Sequence, residues 1–314
     1  MEDLMRNIIT ITPNPAFDIH CNVPKFTLYH ENFAEITSTD PGGKGINISR
    51  ALASNGVYNR AYTFVGDENG EGFGKAFERE EFELVSFAVK GRVRENITCH
   101  TEGAPETRIS FSGFSVTEED VYRMYEYAKS DVYRETMVAI AGSLPNGFTT
   151  EYAKIIVREF KKRGGRVVID SRAFSLEDLR EMKPWLIKPN QEEISNYLGR
   201  EIKSFEEVVD AARELHEDGI ENVMISLGSD GAMLVCKEGT FIATPPKIEA
   251  ISTIGAGDSA IAGFLDGAKI EKSPIDCLKN AVAFGTAACL TSGTNPPLYY
   301  EVKSVRANVV CKKL

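Results

Sequence analysis

The sequence predicts an α/β protein: a single domain over residues 1–314, built on an open, mostly parallel sheet, with a small β-sheet lid inserted at about 17–38 and 87–112. Three observations carry this. Strand and helix signals alternate almost regularly along the chain, the pattern of successive βα units. The candidate polar groups fall at carboxyl ends of strands or at helix starts, where open α/β sheets bind ligands. Two strand-rich, turn-rich stretches then break that rhythm and have no helical period of their own.

In order, residues 7–12 read as the first strand, ended by Pro13-Asn14-Pro15, whose rings stop both helix and ladder. Asp18 follows, either a turn former or a ligand contact beyond a strand end. Short β-like pieces at 19–37 form a flap. Pro41-Gly42-Gly43-Lys44-Gly45-Ile46-Asn47 opens a helix whose inward face includes Ile48, Ala51 and Leu52. This is not a Walker A loop, because Gly45 stands where Ser or Thr should follow the lysine and Ser38 where the first glycine should be. It reads as a tight turn with a solvated lysine, or as a cradle in which Gly43 admits a ligand and Lys44 and Asn47 meet phosphate and hydroxyl oxygens. Residues 61–65 form a strand. The stretch 87–111, carrying Arg92 and Arg94, joins the flap in a four-stranded lid, whose exposed edges predict a homodimer.

Thr117 caps the next helix, and 137–141 is a short buried strand running into Gly142-Ser143-Leu144-Pro145. Residues 154–163 are helical. The strand at 166–169 ends at Asp170, and the strand at 185–188 ends at Pro189-Asn190. Glu193 lies three residues on, sharing a helix face with Asn190. That pair is an ordinary first-turn acid with its cap, or a carboxylate and amide holding Mg²⁺ through water. Ser204-Phe205-Glu206-Glu207 is a capping box. The strand at 223–227 turns through Gly228-Ser229-Asp230-Gly231 into 232–236, a hairpin able to border a nucleotide. The last helix runs from about 274 to 290.

The chain centres on 251–267, ISTIGAGDSAIAGFLDG. Gly255 and Gly257 let the Gly255-Ala256-Gly257 backbone aim successive N–H groups at one point, which suits an anion. From Ser259, apolar Ile261, Phe264, Leu265 and Ala268 recur at helical spacing, so this anion cradle opens a helix with its positive dipole end. Asp258 sits in that turn, as a cap or as a base. GAGDSA also fits a dinucleotide fingerprint, but it comes late in the chain, and the acid at the right distance, Asp276, follows Pro274 at a helix start.

The net charge of −10 disfavours nucleic acid and anionic membranes, whose binding needs clustered Lys and Arg. There is no apolar run of spanning length, and the start MEDLMRNIITITPNP is too polar for a signal peptide, so a cytoplasmic protein is expected. Six scattered cysteines without C-x-x-C spacing predict reduced thiols and no zinc site.

NPAFD, PGGKGIN, GSLPNG, KPNQEEI, SLGSDG and STIGAGDS, in this order over residues 8–295, together resemble the ribokinase-like sugar kinases of the phosphofructokinase-B type. The GGKG form and FSGFSVT at 111–117 are most similar to the 1-phosphofructokinase and tagatose-6-phosphate kinase branch, the former more so. The resemblance implies a three-layer ribokinase-like sandwich. It implies that Asp258 is the general base and that Gly255, Ala256 and Gly257 form the anion hole for the γ-phosphoryl group. Asp18 would orient sugar hydroxyls, with Gly43, Lys44, Asn47, Arg94 and Ser143 holding the sugar and its phosphate. Asn190 and Glu193 would organise Mg–ATP, with Asp170 a further metal-side candidate, and Ser226, Gly228 and Gly231 would border the nucleotide. The resemblance also implies a site for a monovalent cation, K⁺, near Ser252 and Gly293. Glu95, beside the phosphate-binding Arg94, departs from the neutral residue expected there: strand alternation turns it to the opposite face, or it faces inward and weakens substrate-phosphate binding.

The expected function is ATP- and Mg²⁺-dependent phosphorylation of fructose 1-phosphate, with tagatose 6-phosphate the alternative acceptor. A catalytically silent sugar-phosphate sensor on the same fold is the alternative of another class. The intact GAGD carboxylate counts against it, as the misplaced acid counts against a dinucleotide oxidoreductase.

Overall fold

The computed structural model describes residues 7–104 and 106–314. Most of the polar flank that argued against a signal peptide, residues 1–6, lies outside the described residues. β1 (Ile8–Thr12) sits inside a ten-stranded sheet, between the parallel strands β4 (Arg60–Gly66) and β8 (Met137–Ala141). β5 (Glu83–Val89) extends the β4 side; β9 (Arg166–Asp170), β10 (Leu186–Ile187) and β11 (Asn222–Ser226) extend the β8 side, all parallel. The antiparallel strands β12 (Ala232–Cys236), β13 (Gly239–Thr244) and β14 (Val310–Lys313) finish that edge.

Alternation along β1 shows why the sheet is covered on both sides. Ile9 and Ile11 enter one core and Ile8 enters the other. The first core is closed by α3 (Glu118–Ser130), α4 (Thr150–Lys162), α5 (Leu176–Met182), α6 (Gln191–Leu198) and α7 (Phe205–Glu217), with Phe73 of the short α2 (Glu71–Lys75). The second is closed by α1 (Lys44–Ala53), α8 (Ala256–Lys269), α9 (Pro274–Ala288) and α10 (Tyr299–Asn308). The expected inward residues Ile48, Ala51 and Leu52 are fully buried. Thr117 and Ser204 each close a reciprocal capping box, which fixes where α3 and α7 begin.

A second sheet has the order β3 (Glu35–Gly42), β2 (Ala16–Asn22), β6 (Arg94–His100), β7 (Thr107–Ile109). Its boundaries differ from those expected at 17–38 and 87–112. β5 is an edge strand of the large sheet, so the small sheet's second half starts only at Arg94, and its first half runs on to Gly42. In-register partners share a face, so Ala16, Asp18, His20, Arg94, Asn96, Thr98 and Arg108 line one side. Cys21, Val23 and Cys99 form a small apolar cluster, packed by Ile19 and Ile97 of the other side. The helix expected to be last ends at Ala288 and is followed by α10 and β14. α10 has only Val302 and Val305 buried, too narrow a stripe to announce a helix in the sequence.

Candidate active site

Gly255 holds φ 77, a left-handed conformation that costs a glycine nothing, and ends the loop before α8. The helix therefore begins at Ala256, three residues earlier than expected, and Asp258 is its third residue rather than its cap. No side chain caps this first turn; Ala256 N donates to Thr253 O at 3.4 Å, and the positive dipole end lies at Asp258. Gly257 has a separate reason to lack a side chain: a Cβ there would lie 3.0 Å from Lys188 Nζ.

Asp258 is 7% exposed and accepts from Asn47 Nδ2 at 2.9 Å. Burial, and then the Asp170 charge, push its carboxyl up to about 6, while Lys44, Asn47 and Lys188 pull the other way. Asp170, 6% exposed at the end of β9, accepts from Lys44 Nζ at 2.9 Å and lies 4.0 Å from Lys188 Nζ. Burial opposes its charge, and the two lysines outweigh that and hold it below the usual carboxylate range. Burial likewise opposes the Lys44 charge, but Asp170 and Asp258 leave its ammonium with raised proton affinity. Lys44, the first residue of α1 after Gly43 (φ 141), thus stands among the groups facing Asp258. Lys188, missing from the sequence reading, is a buried cation just past β10 and beside the α8 turn. Its position at a strand end was the signal available for it.

On the small sheet, Asp18 Oδ1 accepts from Asn96 Nδ2 at 3.0 Å and Arg108 Nη2 at 2.9 Å. Arg94 donates to Asn14 O at 3.1 Å and Pro15 O at 3.3 Å, while Asn14 Nδ2 donates to Ser143 Oγ at 3.2 Å. Asn14 therefore ties Ser143 to Arg94, and Asn96 and Arg108 join Asp18. None of the three had been singled out. Glu95 is the register partner of Phe17, on the opposite face from Arg94, and is held by Arg92 Nη2 at 3.0 Å.

Asn190 caps α6 in a reciprocal box: Glu193 N donates to Asn190 Oδ1 at 2.8 Å, and Asn190 N donates to Glu193 Oε2 at 3.1 Å. The other carboxylate oxygen accepts from Arg172 Nε at 2.7 Å. Asp170 and Glu193 both line a cavity of about 10 Å³, room for one water. With no cluster of three metal-ligating side chains among the described residues, two carboxylates and a water-sized space fit an ion held largely through water and phosphate, as Mg²⁺ is. Ser226 N donates to Pro189 O at 3.1 Å, which places the Gly228–Asp230 turn and Gly231 beside Asn190. The 251 and 289 segments meet through Ile251 N donating to Cys289 O at 2.8 Å, and Gly293 lies near Asp40.

A cavity of about 710 Å³ opens at the opposite, amino end of the strands, among Arg166, Trp185, Phe264 and Cys277. It contains none of these groups. Convergence of buried charges and a helix dipole is the better mark of a reaction centre than volume.

Comparison with known proteins gives the family. Residues 18–299 match the pfkB family of carbohydrate kinases. The chain is 33% identical over 285 residues to the 1-phosphofructokinase of Escherichia coli strain K12, covering 91% of each protein. It is 32% identical over 282 residues to the tagatose-6-phosphate kinase of Staphylococcus epidermidis, covering 88% of this chain and 90% of that one. The crystal structure of Escherichia coli phosphofructokinase-2 in complex with potassium superposes with a TM-score of 0.89 at 28% identity, covering 96% of this chain and 99% of the other. Another structure of that enzyme is described as its tetrameric inhibited form.

Proposed function

This chain belongs to the pfkB family of carbohydrate kinases and is a phosphotransferase acting on a sugar hydroxyl, and from that premise we propose that it converts fructose 1-phosphate and ATP to fructose 1,6-bisphosphate and ADP. The observation that carries the mechanism is Asp258: a buried carboxylate with proton affinity near neutrality, in the uncapped first turn of α8, between two lysines.

Asp258 accepts the proton of the sugar's 6-hydroxyl as that oxygen attacks the γ-phosphorus; Asn47 holds the carboxylate in place. The N–H groups of Gly255, Ala256 and Gly257 receive the equatorial phosphoryl oxygens, with charge supplied by Lys188 and Lys44. Asp170, bonded to Lys44 at 2.9 Å and 4.0 Å from Lys188, holds both lysines toward the cleft. Asp18, oriented by Asn96 and Arg108, binds sugar hydroxyls; Gly43, Arg94 and Ser143 hold the existing phosphate. Asn190, Ser226, Gly228 and Gly231 border ATP. Asp170 and Glu193 would hold Mg²⁺ through water, and the ion would supply charge neutralisation at the phosphates. The potassium complex of the structural relative supports K⁺ binding, which we assign to the loop near Ser252 and Gly293.

The exposed Leu28, Tyr29, Phe33, Ile36 and Phe111 in and around the small sheet support pairing with a second copy, and no described helix is long and apolar enough to cross a membrane. Sedimentation of the purified chain tests the dimer. The function is tested by coupled ADP release with fructose 1-phosphate, tagatose 6-phosphate, fructose 6-phosphate and fructose, ranked by kcat/KM. Preference for tagatose 6-phosphate would change the acceptor and leave the mechanism; silence with all four, with sugar phosphate still bound, would indicate a sensor.

A further inference from the structure

On the face of the small sheet that carries Asp18, two side-chain links join β2 to β6 among the described residues. One is Asn96 to Asp18; the other joins His20 Nδ1 to His100 Nε2 at 3.0 Å. The two imidazole planes differ by only 21°, and their centroids lie 5.3 Å apart, about as far as a 3.0 Å nitrogen contact allows. The rings therefore meet end to end, sharing one proton in a nearly straight N–H···N bond. Two nitrogens converging on a metal would point past each other instead. His20 is 8% exposed, and His100 turns its other nitrogen, Nδ1, to Glu106 Oε1 at 3.2 Å.

We propose that His20 and His100 are positioning residues for the substrate-binding Asp18, and that their shared proton makes sugar-phosphate binding sensitive to pH. One neutral ring is required as acceptor. When both rings are protonated no acceptor nitrogen remains and two like charges face each other, so the link opens. Its loss removes that side-chain tie two residues beyond Asp18, leaving the backbone ladder between β2 and β6 in place, and shifts the carboxylate against the sugar. The charged groups on this face are Glu106 before β7, Arg108 on β7, Asp18 on β2, and Asp40 and Glu35 on β3, the last the register partner of Asn22 beside His100. Glu106 Oε1 lies 3.2 Å from His100 Nδ1, and Arg108 is held by Asp18 at 2.9 Å. Polar neighbours are Ser38 and Thr37 on β3, the latter donating through Oγ1 to His20 O at 3.1 Å, and Thr98 on β6.

The role assigned to Asp18 rests on the function proposed above, so the test reads the pair and the function separately. In the resting protein, imidazole NMR of the four histidines should show two, absent from the spectra of His20→Gln and His100→Gln respectively, titrating in coupled steps. Independent single-step curves for both would overturn the pair. In the wild type, KM for the sugar phosphate should rise about 3- to 10-fold between about pH 7.5 and pH 5.5, the worth of one hydrogen bond, beyond any rise in His100→Gln. The substrate's own phosphate titrates identically for both proteins and cancels. Exposed Glu106→Gln, which folds independently of the buried ring, should move the step to lower pH. An equal KM rise in wild type and His100→Gln would refute the positioning role. Absence of turnover with every ketohexose phosphate would refute the function, and with it the role at Asp18, while the NMR titration would still decide whether the proton is shared.

Discussion

The floor of the cleft and the small sheet above it are built on opposite plans. In the floor, Asp258, Asp170 and Lys188 are each less than 9% exposed and come from the ends of three βα units fixed in the core. On the small sheet, Asp18 is 13% and Arg108 49% exposed at the side chain, and the carboxylate is set by neighbours on a four-stranded ribbon. The floor can hold charges at fixed, partly desolvated distances, which transition-state stabilisation requires. The ribbon can follow a substrate. Changes in the floor should therefore appear in kcat, and changes in the ribbon in KM.

The largest break comes from Asp258→Asn, which removes the base but keeps the bond with Asn47. We expect kcat to fall on the order of 10³-fold, with sugar-phosphate affinity within a few-fold by calorimetry. Near-normal turnover would remove Asp258 from the chemistry. Lys188→Met should lower kcat about 10²-fold with small change in either KM, and a change confined to the KM for ATP would make it a binding residue only. Arg108→Ala should do the reverse, raising the sugar-phosphate KM about 10-fold with kcat nearly unchanged; a matching fall in kcat would erase the contrast between the two regions.

The smallest effect is on stability. The Asp258 carboxyl titrates at about 6 in the folded chain against an ordinary 3.8, so above pH 6 folding bears the cost of keeping it charged. The gap corresponds to about 3 kcal/mol as an upper figure. This acid is raised, so its contribution to stability improves as pH falls from about 6 toward 4 and is lost again as pH rises. Asp258→Asn should accordingly melt about 3 °C higher at neutral pH, and calorimetry at pH 7.5 and pH 5 should show the difference shrinking. An unstable Asn variant at both pH values would mean that the carboxylate supports the fold.

The floor was legible in the sequence because glycines and strand ends mark it locally: Gly255, Gly257, Asp258, Asn47 and Asp170 all lie within a few residues of a helix start or strand end. The ribbon was less so. Asn96 and Arg108 reach Asp18 from 78 and 90 residues away, and neither carries a local signature. The end of β5, residues 87–89, was drawn into the small sheet because 87–111 read as one strand-like, turn-rich stretch, and residue pattern does not say which sheet an edge strand belongs to. Lys188 was passed over because two of its meanings, solvated lysine and buried cation, differ only in what α8 brings against it 69 residues later. Glu193 is a capping acid, and it also lines the water-sized space beside Asp170.

The place of β1 also governs how the chain can fold. Its neighbour β8 pairs with it from Met137 onward, so the middle of the sheet stays open until nearly half of the chain is available. The bond from Asn47 to Asp258 closes a span of 211 residues, and both ends must be docked on the finished sheet before it forms. Such distant pairings make slow steps. During refolding, recovery of helical signal should precede recovery of turnover, so enzymatic activity times the last closure of the chain.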